Sequence, residues 1–122
     1  IHDQLDLFPL IHERFQNVLI ENLDWKQCLG DFDSPDTVFY MDPPYWGSDI
    51  YFHQMDKLAH IEMCSRIFQL KGFVAVSGYK NDVYDQFPWD GVHRIEVDNK
   101  VANMFGPQSE DREEWLWIKE AA

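Results

Sequence analysis

Val38-Phe39-Tyr40-Met41-Asp42-Pro43-Pro44-Tyr45, with Gly72-Phe73-Val74-Ala75-Val76 one helical segment later, decides the fold class of this chain. Val38 to Met41 is a continuous apolar run after a loop from Gly30 to Asp36 rich in Gly, Pro, Ser and Asp, and it reads as a buried strand. Two consecutive prolines have no N–H to give to a ladder, so the strand must stop where Asp42 begins. From Gln54 to Leu70 the apolar residues Leu58, Ile61, Cys64, Ile67 and Phe68 recur every three or four positions. That spacing predicts an amphipathic helix with Gly72 just past its end. Phe73 to Val76 then reads as another fully apolar strand. Strand, long helix, strand is the pattern of a parallel crossover, and an α/β sheet is expected.

Working outward, Val18-Leu19-Ile20 is a short apolar run expected as a further buried strand, with Glu21, Asn22 and Asp24-Trp25 at its carboxyl end. Ile1 to Leu10 lacks a start signal and contains Pro9, so it reads as an arm or an arbitrary boundary. On the other side, Asn81 to Phe87 suits a short helix, while His93 to Val97 and Glu114 to Lys119 suit strands. Asn99 to Arg112 is polar, carries Gly106 and Pro107, and reads as a long loop; such loops in compact domains are usually functional or mobile.

At 122 residues and 45% hydrophobic content, one compact unit with a real core is expected. The 16% aromatic content opposes disorder and favours large contact surfaces. A formal net charge of −12 opposes nucleic-acid binding when taken alone, because phosphate contacts come from Lys and Arg. The two cysteines, Cys28 and Cys64, form no CxxC pair and join no His/Cys cluster, so neither a disulfide framework nor a metal site is expected. No apolar run reaches membrane-spanning length and no leader is visible, which reads as a soluble, cytoplasmic protein.

The tetrapeptide Asp42-Pro43-Pro44-Tyr45 at a strand end suits the modification of an exocyclic amino group on a planar ring. Such a nitrogen is a poor nucleophile because its lone pair is conjugated with the ring. If the Asp42 carboxylate and the Pro43 carbonyl each accept one N–H, the nitrogen moves toward tetrahedral geometry and the lone pair is freed for in-line attack on a methyl group. The prolines stiffen the turn and bring no competing donor. Tyr45 supplies a flat ring for an extruded base, a contact worth roughly 1–3 kcal/mol. The bland reading is an Asp cap at a Pro-Pro turn. Against it, a chance Asp-Pro-Pro-Tyr arises on the order of once per thousand chains of this length.

With VLIENLDW (Val18 to Trp25), TVFYMDPPYW (Thr37 to Trp46), GFVAVSGYKND (Gly72 to Asp82) and EEWLWIKE (Glu113 to Glu120) in this order, the chain resembles the C-terminal part of the Dam-type adenine-specific DNA methyltransferases. The resemblance covers most of the chain, and the tetrapeptide is its specific element. It implies a Rossmann-like α/β sheet, S-adenosylmethionine as methyl donor, and duplex DNA with a flipped adenine as partner. It places Asp42, Pro43, Pro44 and Tyr45 at the target adenine, with Asp42 also beside the donor, and Asp24 at the donor's adenosine. For Asp24, a helix-starting cap in the Leu-Asp-Trp turn is an equally open reading. The family's Phe-x-Gly-x-Gly donor loop and its basic target-recognition region are absent from these residues. Residues 1–122 are therefore read as a partial catalytic domain, inactive by itself and able to form homodimers through exposed sheet edges.

Tyr51 and Phe52, in the loop after Trp46, could close over an extruded base, or could fold back onto the core. Lys100 and Arg112 are the local candidates for phosphate contacts, with Lys100 and Tyr51 joining Tyr45 as expected DNA-binding residues. Ser77, Tyr79 and Asn81 are expected on the same sheet edge as Asp42, where open α/β folds hold ligands. Cys64 lies mid-helix without a Pro-Cys context, which disfavours a cysteine-nucleophile methyltransferase. Transfer to RNA or to a protein glutamine poses the same problem at nitrogen and stays open, as does a non-catalytic interaction module.

Overall fold

The computed structural model describes residues 5–47, 54–96 and 113–122. Its elements are helices α1 (Phe8–Phe15) and α2 (Trp25–Phe32), strand β1 (Val38–Met41), helix α3 (Lys57–Ile67), strand β2 (Phe73–Tyr79), helix α4 (Asp82–Asp85), and strands β3 (Gly91–Arg94) and β4 (Glu114–Lys119). The strands form one mixed sheet in the order β1-β2-β4-β3. β1 and β2 are parallel, in the register Phe39 to Val74 and Met41 to Val76. β4 runs antiparallel to both β2 and β3, so β3 points the same way as the parallel pair.

Helix starts follow local chemistry. The side chains of Asp24, Asp56 and Asn81 accept backbone N–H groups from Lys26, Ala59 and Tyr84, and so begin α2, α3 and α4. In α1, Pro9 sits in the first turn, where its missing N–H costs nothing. Phe8 to Leu10, within the stretch read as an arm, belong to this helix.

Alternation along the strands separates two faces. Phe39, Val74, Val76 and Trp117 point into a core completed by Leu29, Met63, Cys64, Ile67, Val83 and Tyr84. On the other face Val38 and Tyr40 are 70% and 67% exposed, so β1 is covered on one side only. The expectation of a fully buried β1 is corrected accordingly: among the described residues no layer packs over Val38 and Tyr40. Val18 to Ile20, expected as a buried strand, is an exposed segment without a ladder partner among the described residues. An apolar run becomes a strand only where a neighbour accepts its backbone hydrogen bonds.

The helix stripe also differs from the expected one. Leu58 is exposed, and the buried positions of α3 are His60, Met63, Cys64 and Ile67, a set at i, i+3, i+4 and i+7. The α3–β2 connection is pinned from two directions. The Asp33 carboxylate accepts the N–H groups of Lys71 and Gly72, while the buried Lys119 ammonium donates to the carbonyls of Leu70 and Gly72. The backbone N–H of Lys71, foremost, holds Asp33 below the usual carboxylate range. A Cβ on Gly72 would lie 2.6 Å from the Thr37 carbonyl oxygen, so only glycine fits this close approach. No helix among the described residues is long and apolar enough to cross a membrane.

Candidate active site at the carboxyl ends of the parallel strands

Because Met41 pairs with Val76, the next residues of the two parallel strands, Asp42 and Ser77, stand side by side. The buried Ser77 hydroxyl donates to Asp42 Oδ1 at 2.8 Å, with the Met41 carbonyl a longer second acceptor at 3.4 Å. Asp42 itself is exposed, so its carboxylate is both oriented and reachable from solvent. An ionised carboxylate accepts several hydrogen bonds at once, and the serine occupies one side of one oxygen.

Pro43, Pro44 and Tyr45 follow as a half-buried turn. The Tyr45 ring meets Tyr79 edge-on at 4.8 Å, and its hydroxyl interacts with Ser77 and Asp42. Burial, reinforced by the negative charges of Glu114 and Asp42, raises the Tyr45 hydroxyl well above its ordinary 10.0, so it remains protonated. Tyr45 is thus tied into the polar site through its oxygen as well as presenting a ring.

A cavity of about 340 Å³ opens at this edge, walled by Leu23, Trp25, Met41, Pro43, Pro44, Met55 and Met63, among others. Among the described residues, Asp42 is the only carboxylate on its lining. Such a space, apolar with one convergent polar group, is typical of small-molecule sites.

Asp24 does not line this cavity; its carboxylate faces the Lys26 N–H at the start of α2, 2.9 Å away. Trp25, its neighbour, is the residue that reaches the cavity wall. Ser77 and Tyr79 lie on the same edge as Asp42 and Tyr45, as expected. Asn81 has its amide committed locally, donating to the Tyr79 carbonyl and accepting the Tyr84 N–H. Tyr51, Phe52, Lys100 and Arg112 lie outside the described residues.

Sequence reasoning missed His60. It is fully buried under the tetrapeptide, with Nδ1 2.9 Å from the Tyr84 hydroxyl and its ring 6.0 Å from that of Trp46, edge to face. The Pro44 carbonyl acts on the ring, favouring its charged form, yet Nε2 completes no well-formed hydrogen bond among the described residues. Burial outweighs that carbonyl and the Asp56 charge, and holds the imidazole below its ordinary 6.5. The signal lay in the buried stripe of α3, which begins at position 60, not at Leu58.

Lys26, Arg66, Lys80 and Arg94 are paired with Glu62, Glu62, Asp85 and Glu113 respectively. Comparison with protein-family models, with characterised proteins and with solved structures finds nothing that matches this chain.

Proposed function

We propose that these residues form the target-base-binding half of an S-adenosylmethionine-dependent DNA methyltransferase acting on the exocyclic amino group of adenine, with a glycine-rich donor loop and a basic recognition region supplied from outside them. The observation that carries this reading is the Asp42 carboxylate, held by Ser77 at the mouth of an apolar cavity directly after a parallel strand. Ligands of open α/β sheets sit at this edge.

In this reading Asp42 accepts one N–H of the adenine amino group and the Pro43 carbonyl accepts the other. Tyr45 abuts the base, and Ser77 keeps Asp42 from rotating away. The cavity fits the flat adenosyl portion of the donor, with Trp25, Leu23 and Pro43 as apolar walls and Asp42 nearby. The donor's carboxylate is held, in this reading, by the donor loop. S-adenosylmethionine, when bound, supplies an electrophilic methyl group. In this reading the recognition region makes most phosphate contacts, in keeping with the pairing of Lys26, Arg66, Lys80 and Arg94 with acids.

A non-catalytic interaction module is the second reading. It is favoured by the exposed side chains of Val38 and Tyr40 on strand β1.

The test is single-turnover methylation of duplex DNA by the polypeptide that carries this chain. Asp42→Ala removes an acceptor whose interaction strengthens as positive charge develops on nitrogen, and should cost roughly two to three orders of magnitude in rate with DNA binding retained. Near-normal methyl transfer by the folded variant would leave the interaction module as the better reading.

A further inference from the structure

Prolines at 43 and 44 donate no hydrogen bonds, so the Asp42–Tyr45 turn is held through its side chains, Asp42 by Ser77 and Tyr45 by Tyr79, Ser77 and Asp42, and by what packs behind it. Behind it is His60. Its backbone is set by α3, where the His60 N–H bonds to the Asp56 carbonyl. Its ring is set by Tyr84, whose hydroxyl lies 2.9 Å from Nδ1. Tyr84 is itself immobilised: it is 1% exposed and meets Trp117 edge-on at 4.9 Å, and its carbonyl accepts the Trp89 indole N–H at 2.8 Å. A line of packed contacts therefore runs from the sheet core through Tyr84 and His60 to the Trp46 ring, directly after the tetrapeptide.

A purely hydrophobic residue would fill this space more cheaply, since an unsatisfied buried ring nitrogen costs free energy. The imidazole offers what an aliphatic side chain lacks, a polar edge on each side of a flat ring.

We propose that His60 is a positioning residue for the tetrapeptide: held at Nδ1 by the Tyr84 hydroxyl and packed edge to face against Trp46, it sets where the Asp42 carboxylate and the Pro43 carbonyl point. This rests on the reading of Asp42 and Pro43 as the acceptors for an amino group. The ring orientation, by contrast, is a property of the chain whatever its reaction. In this proposal the Tyr84 hydroxyl donates to Nδ1 and the ring proton therefore resides on Nε2.

Two measurements separate the outcomes. In the chain as it stands, ¹⁵N NMR of the histidines should show a His60 ring protonated at Nε2 alone. Tyr84→Phe and His60→Gln should each shift the amide resonances of Asp42, Tyr45 and Trp46, while Val74 and Val76 stay near their original positions. A ring protonated at Nδ1, or shifts confined to the core, would overturn the proposal even if methyl transfer is demonstrated. In the polypeptide that carries the chain, His60→Leu should lower kcat for adenine methylation about 10- to 100-fold with KM for DNA within about twofold. His60→Gln, which can still donate and accept, should recover part of the loss. Equal kcat for wild type and a folded His60→Leu would overturn positioning. Absence of methylation in the wild type would instead sink the proposed function and leave the NMR arm to decide whether His60 orders the turn.

Discussion

The amino-terminal segment from Leu5 to Ile20 and the layer formed by α3, β2 and β4 are both rich in large apolar residues, yet their fates are opposite. Leu19 and Ile20 are 69% and 78% exposed, and α1 buries no residue. Cys64, Ile67, Val74, Val76 and Trp117 are fully buried. The difference lies in partners, not in hydrophobicity: β2 has a strand on each side and a helix above, whereas Val18 to Ile20 meets no strand among the described residues. Apolar content marks a segment as able to join a core, and only a complementary surface makes it do so.

The contrast is easiest to break at Trp117. Truncation to Ala removes a ring that packs against Tyr84 beneath the site, and should cost about 3–5 kcal/mol in urea unfolding. A loss under 1 kcal/mol would mean the layer is loosely packed. Next is Lys119→Met, which keeps the stem but leaves the Leu70 and Gly72 carbonyls without their donor. Stability should fall by about 1–3 kcal/mol, and hydrogen exchange near Lys71 and Gly72 should quicken. Unchanged exchange there would show that Asp33 alone pins the connection.

Acid should sharpen the same comparison. Burial lowers the His60 pKa in the folded chain, so below its ordinary 6.5 the unfolded chain takes up the proton first. The contribution of neutral His60 is complete above about 6.5 and is lost as pH falls from there through the folded value. Wild type should therefore lose stability on going from pH 7 toward pH 5 more steeply than His60→Gln. Parallel curves would remove the imidazole as the cause. Carboxylates such as Asp33, depressed in the folded state, add their own loss at lower pH. The smallest effect is expected in the exposed segment: Leu19→Ser and Ile20→Ser should each change stability by less than about 0.5 kcal/mol. A loss above about 1 kcal/mol would show that the segment is buried against another surface.

Much of the site was legible from residue order. Two prolines must end a strand, and an apolar strand followed by an amphipathic helix and another apolar strand suits parallel pairing, so the placement of Asp42 on the same carboxyl edge as Ser77 followed from Val38 to Ser77 alone, while their contact came with the register. Asp24 illustrates the opposite case. Its side chain can cap a helix or face a ligand with equal chemistry, and that it caps α2 appeared only in the structure.

By itself the sequence determined the α/β class, the positions of β1, β2 and β4, and the edge on which the tetrapeptide sits, because these depend on periodicity and on the missing N–H of proline. Tertiary structure decided what periodicity cannot encode. It placed β4 between β2 and β3, left one face of β1 and all of Val18 to Ile20 uncovered by the described residues, and set His60 rather than Leu58 against the turn. These outcomes depend on which surfaces meet across long stretches of chain, since whether a helix residue is buried is settled by the layer it faces.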